Sequence, residues 1–223
     1  ESAFNCCVNL AKIEIQTNSN LQTIEKCAFS HTRIKDIYFP TSLNELEEGW
    51  CFFTTELTKI TISPSNGQFI FKDDKYLLGK SDSNKDEFDI LLFASRNIKE
   101  ISIPSNIKVI SSHAFQCCRN LTKVEIPTNL NLESIQSNTF EYSGINEIFI
   151  PSKVSKICEL AFHDCENLTK VKIDPNSNLQ IIESNAFSYS NINEIYIPSK
   201  VSKICQNAFF NCANLTKIEI QTN

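Results

Sequence analysis

FEYSGINEIFIPSKVSKICELAF, residues Phe140 to Phe162, returns 47 positions later as FSYSNINEIYIPSKVSKICQNAF, Phe187 to Phe209. A near-verbatim copy at a period of tens of residues is the mark of stacked supersecondary units, none of which can bury its apolar face without its neighbours. Two shorter units divide the 47. Phe115, Phe140, Phe162, Phe187 and Phe209 stand 25, 22, 25 and 22 residues apart, and Phe4 and Phe29 repeat the step of 25. A long coil therefore alternates with a short one, and the chain reads as a solenoid.

Every unit follows one template: an aromatic anchor, a Leu or Ile five or six residues on, then Ile-x-Ile or Val-x-Ile, often Pro, then another Ile five residues before the next anchor. This is the template of a leucine-rich repeat, and it implies a right-handed superhelix with a parallel β-sheet along one side. Pro cannot donate to a sheet ladder, so Pro40, Pro104, Pro127, Pro151 and Pro198 put the strand's end just after Ile-x-Ile. The segments before the anchors (ISSHAF, IQSNTF, ICELAF, IESNAF, ICQNAF) are too short for a helix that stands alone, which predicts one helical or 3₁₀ turn per coil held by packing.

Residues 1–223 read as a single array. It begins in mid-unit at ESAFNCC and ends in mid-unit at KIEIQTN, and is taken as a piece of a longer one. Two places depart from the template. In LEEGWCFFTTEL (Leu46 to Leu57), either Phe52 is the anchor and the coil slips by one residue, or Trp50 takes the usual Ala slot and Cys51 the Phe slot. The second register is favoured because Cys51 to Leu57 matches the long-coil step of six, with a larger neighbour filling the space of the missing ring. Between residues 63 and 97 the template disappears. QFIFKDDKYLLG and FDILLFASR read there as strands around the polar loop KSDSNKDE, a hairpin segment replacing the back of one coil.

Hydrophobic content of 41% suits a narrow core, and a formal charge of −5 with scattered lysines argues against nucleic acid, which needs a concentrated basic face. No run of 18 apolar residues exists, so this segment inserts into no membrane as a helix. Ten cysteines suggest disulfides, but the repeat register opposes them. Cys7, Cys118, Cys165 and Cys212 each sit three residues after an anchor of a long coil. Equivalent positions two coils apart are separated by roughly 10 Å, beyond the ~7 Å Cα limit for a bridge, so free thiols are expected. Bridges within a coil, Cys158 to Cys165 and Cys205 to Cys212, are the remaining alternative.

Alternate residues of a strand face opposite ways, so with both isoleucines inward the residues before and between them face out. The first outward column reads Lys12, Asp36, Lys59, Glu100, Lys123, Glu147, Lys170, Glu194, Lys217, changing sign at every step. Stacked, it forms a ladder of opposite charges worth about 0.2–1 kcal/mol per pair, a structural feature that fixes register. The second column places Tyr38, Phe149 and Tyr196 among Glu14, Thr61, Ser102, Glu125, Lys172 and Glu219. Aromatic rings on an open sheet face are the usual anchors of protein interfaces, and Tyr142 and Tyr189 recur as a second pair near the turn. These five are the candidate protein-binding residues.

Other constellations are weaker. DSNKD (Asp82 to Asp86) begins like a calcium loop, yet Glu87 stands where Gly is needed and Phe93 where the bidentate Glu belongs. His31, His113 and His163 occupy three different template slots, and no nucleophile or metal spacing accompanies them. Asn-Leu-Thr recurs at Asn120, Asn167 and Asn214, a formal glycosylation acceptor in a secreted chain and equally a turn that starts a strand. No catalytic, metal or cofactor site is expected.

CRNLTKVEIP, CENLTKVKI and CANLTKIEI, each followed by segments such as IPSKVSKIxxxAF, closely resemble the BspA-like leucine-rich repeats, and SPSNGQFIFKDDKYLLG resembles the hairpin that interrupts arrays in that family. The alternation of 25 and 22, with many Asn, Ser and Ile, is similar to expansions found in protozoan mucosal parasites. The resemblance implies a non-enzymatic surface antigen, extracellular, that adheres to host extracellular-matrix or cell-surface proteins. The alternative function is a structural element that self-associates.

Overall fold

The computed structural model describes residues 1–221, and within them the repeat becomes a stack of coils. Its strands are β1 (Thr23–Ile24), β2 (Asp36–Phe39), β3 (Glu45–Leu46), β4 (Lys59–Ile62), β5 (Phe69–Lys72), β6 (Tyr76–Gly79), β7 (Ile90–Ala94), β8 (Glu100–Ser102), β9 (Val109–Ile110), β10 (Lys123–Glu125), β11 (Ser134–Ile135), β12 (Glu147–Ile150), β13 (Lys156–Ile157), β14 (Lys170–Ile173), β15 (Ile181–Ile182), β16 (Glu194–Ile197), β17 (Lys203–Ile204) and β18 (Lys217–Ile220). The Ile-x-Ile strands make the first face, in the order β2-β4, then β8-β10, then β12-β14-β16-β18. A second face carries the shorter strands β1-β3 and β11-β13-β15-β17. Pairing between coils is parallel on both faces. Pro40, Pro151 and Pro198 follow β2, β12 and β16 directly, where the missing N–H ends the ladder.

The anchors fill the interior. Phe115, Phe140, Phe162 and Phe187 are fully buried, and the rings from Phe115 to Phe209 stack face to face with centroids 5.0–5.3 Å apart and planes within 5°. Coils of one sequence at one spacing put like rings on like rings, so Phe140, Phe162 and Phe187 are each covered on both faces by their neighbours. Phe4 and Phe29 repeat the contact at 5.4 Å. Cys51 holds the anchor slot in its coil, since the Phe29 N–H donates to the Trp50 carbonyl as that of Phe140 does to Ala161. Trp50 fills the vacant ring space against Phe39 and Phe93.

The turns before the anchors are neither helical nor 3₁₀, contrary to the sequence expectation. Residues two before and two after each anchor take left-handed backbone angles, for example Asn138 (φ 56) and Tyr142 (φ 56) around Phe140, and Asn185 (φ 56) and Tyr189 (φ 59) around Phe187. A left-handed residue every fourth position prevents a helical run. The freed N–H groups donate to the next coil instead: Asn138 to Glu159, Phe140 to Ala161, Tyr142 to His163. The back of the solenoid is thus a third ladder, and intercoil bonding outcompetes local helix.

Residues 63–97 contain one strand more than the sequence suggests. QFIFKDDKYLLG folds on itself as β5 and β6, turning through Asp73 (φ 56) and Asp74 (φ 53), and β6 then pairs antiparallel with β7. Left-handed angles at both central residues are those of the tight hairpin turn that matches strand twist. Leu92 is the extra residue of a bulge, because Leu77 faces Phe93 while Leu78 faces Leu91. All four residues of β6 are buried, Tyr76 and Leu78 in one hydrophobic cluster and Leu77 in another. The meander is therefore a wall between two cores rather than a flap on one.

All ten cysteines are free, including Cys158, Cys165, Cys205 and Cys212. The long-coil thiols bond across coils: Cys165 Sγ donates to the Phe140 carbonyl (3.0 Å) and Cys212 Sγ to that of Phe187 (3.1 Å). Burial pushes the Cys165 thiol up to about 12 and that of Cys51 to about 11.

Candidate functional site

The first face carries both outward columns. Register sets Asp36 opposite Lys59, Glu100 opposite Lys123, and Lys170 between Glu147 and Glu194, with Lys217 next to Glu194. All nine charged residues of the column, Lys12 included, are exposed. Their short ion pairs differ from the expected cross-strand ones. Lys12 meets Glu14 (2.6 Å), Lys123 meets Glu125 (2.6 Å) and Lys217 meets Glu219 (3.0 Å), while Glu147 is held by Lys172 (2.7 Å). A flexible lysine reaches the acid two residues along its own strand as easily as the one across, so the ladder sets a pattern of potential more than fixed bonds. These contacts lower the acids at Glu14, Glu125 and Glu147 below the usual carboxylate range.

Tyr38, Phe149 and Tyr196 occupy the second column but are half-buried, not fully open as the alternation suggests. Register sets Phe149 beside Lys172 and Tyr196 beside Glu219, long side chains whose stems can lie along an apolar ring. A depression of about 220 Å³ lies beside Tyr196, between Glu194, Lys170, Lys217 and Glu219. Its walls alternate in charge around one phenol ring.

Tyr142 and Tyr189 belong to a different surface, at the left-handed corner after the anchor. Sequence slots hid what joins them. His163 stands edge-on to both, at 5.7 Å from Tyr142 and 5.5 Å from Tyr189, and the line continues through Phe53 to His31 and through Tyr189 to Phe210. The histidines come from three template positions, yet the corner geometry sets His31 and His163 in one ridge, with His113 beside it against Phe52 at 5.0 Å. Residues one and two positions after the anchor, read as a single column, are the signal that would have revealed it. The two aromatic groups do not come together: the ridge runs along the back, and the Tyr38, Phe149 and Tyr196 column along the front sheet.

A family model described as the BspA type leucine-rich repeat region matches residues 1–77 and 87–216, in six copies. The break falls on the end of β6 and the polar loop after it. Among solved structures, the pneumococcal vaccine antigen PcpA is similar over 100% of this chain and 48% of its own, at 20% identity and a TM-score of 0.65. A leucine rich cell surface protein from Faecalibacterium prausnitzii is similar over 91% of this chain and 52% of its own (21% identity, TM-score 0.65), and a leucine-rich repeat protein from Eubacterium ventriosum over 90% and 55% (18% identity, TM-score 0.68). The chain thus spans about half the length of these structures, and at such identities the likeness speaks for the fold. No curated protein sequence matches the chain.

Proposed function

The chain belongs to the BspA-type leucine-rich-repeat family, and from that premise we propose that it is a non-enzymatic binding module displayed at a cell surface, where its front sheet holds a host extracellular-matrix or cell-surface protein. The observation that carries the reading is the aromatic column Tyr38, Phe149 and Tyr196, set among exposed charges of both signs. Half-buried rings lose little freedom on binding and offer apolar area, while surrounding charges select a partner of complementary pattern. Support also comes from the cell-surface description of one structural neighbour and the vaccine-antigen description of another. Among the described residues, no helix is long and apolar enough to cross a membrane, and no three metal-ligating side chains converge.

The test is a binding screen of the purified chain against matrix proteins and epithelial cells, repeated with Tyr38, Phe149 and Tyr196 all changed to Ser. Loss of at least about tenfold in affinity, about 1.4 kcal/mol, is expected for whichever partner is captured. Unchanged binding with the fold intact would remove the front sheet from consideration.

A further inference from the structure

The second face is interrupted on both sides of the meander, after β3 and again between β9 and β11, and at the second break the repeat supplies its own control. Between β13 and β15 the Gln180 N–H donates to the Ser155 carbonyl (2.8 Å) and the Glu183 N–H to that of Ile157 (2.9 Å). The equivalent residues 47 positions earlier are Glu133, Gln136, Lys108 and Ile110. There no ladder joins β9 to β11, and among the described residues neither of these N–H groups nor either carbonyl has a hydrogen-bond partner. The break lies directly beside the meander. β9 pairs with β7, whose bulge at Leu92 interrupts its register to β6 beside this step.

What remains is a cleft of about 370 Å³ between Lys108–Val109 and 131–136. Val109 and Gln136 also line an adjoining hollow of about 250 Å³ beside Trp50 and His113, where His113 Nδ1 is buried without a partner. The charge on these walls is uneven. Lys108 is already engaged by Asp89 (2.7 Å) and Glu87 (3.3 Å), whereas Glu47, Glu48 and Glu133 are exposed and form no ion pair among the described residues.

We propose that this break is a docking groove for an extended basic polypeptide segment of a partner protein, which adds as a strand against β11 and completes the ladder that β9 does not reach. Main-chain bonds to Glu133 and Gln136 would supply affinity, and alternate side chains would supply specificity, with lysine or arginine meeting the three carboxylates. A groove that offers unpaired backbone donors on one wall and acceptors on the other fits a polypeptide better than a rounded solute, because only a strand presents both groups at the sheet repeat.

Amide hydrogen exchange on the ¹⁵N-labelled chain tests this, with an acetylated hexapeptide of alternating Lys and Val as the probe. In the free protein the Glu133 and Gln136 amides are expected to exchange at least about tenfold faster than Gln180 and Glu183. Saturating peptide should slow the first pair by about tenfold or more and leave the second unchanged. A peptide of the same charge, N-methylated at alternate residues, should fail to do so, and Glu133→Lys should weaken binding about tenfold. Equal protection of both pairs in the free protein would overturn the proposal, as would fast exchange at saturation or equal protection by the N-methylated peptide, which would reduce the contact to net charge.

Discussion

At the scale of single residues, burial decides which groups can react. Cys165 and Cys51 lie where desolvation holds the thiol form, at about 12 and about 11, while Cys6 and Cys7 are exposed. The thiolate is the reactive species, so titration of the native protein with a disulfide reagent at pH 8 should modify Cys6 and Cys7 within minutes and leave Cys51 and Cys165 intact until denaturant is added. His113 makes the opposite kind of statement. Burial pulls its pKa from 6.5 down to about 4, so the unfolded chain takes up a proton at a pH where the folded one does not. Its stability contribution is complete above pH 6.5 and is lost as pH falls toward 4, by about 3 kcal/mol at most. Urea midpoints at pH 7.5 and pH 5 should show this fall, and His113→Asn, which suits the left-handed backbone at φ 64, should flatten it.

At the scale of elements, the coil is held by one stacked column and three ladders. Phe140 lies between Phe115 (5.0 Å) and Phe162 (5.3 Å), with no solvent exposure. Truncating it removes contacts on both ring faces. Phe140→Ala should therefore cost about 3–5 kcal/mol in a denaturant titration. The same change at Phe209, which is only half-buried, should cost clearly less. Because each coil touches only its neighbours, hydrogen exchange in the Phe140 variant should rise in the adjoining coils before it rises at a distance.

At the scale of the whole molecule, the meander divides the core, and Arg96 fastens the parts. Its buried guanidinium donates to the Thr54 carbonyl on one side (3.2 Å) and to those of Ala94 and Ala114 on the other (3.3 Å each), and stacks 4.5 Å from the Phe93 ring. Arg96→Met would take the guanidinium from the buried Thr54 and Ala94 carbonyls, while that of Ala114 keeps the Ala94 N–H, at a cost of about 2–4 kcal/mol. The thermal transition is then expected to split, with the coils around Phe29 and Trp50 melting before those from Phe115 onward. A single, merely shifted transition would show that the two clusters are coupled by other means.

The period of 47, the inward Ile-x-Ile pattern and the free thiols could be read from the sequence, because each follows from repetition: equal residues at equal spacing must stack on one another. The slot of Cys51 was legible for the same reason. Other features were decided only when the chain closed on itself. Left-handed corners replaced the expected helical turns because intercoil bonds compete with local ones. His31 and His163 entered one ridge from different template slots, and Tyr38, Phe149 and Tyr196 came out half-buried where strand alternation alone predicts open rings. The wall through the core and the broken ladder beside it lie where the repeat lapses, and there a one-dimensional pattern carries no information about which surfaces will meet.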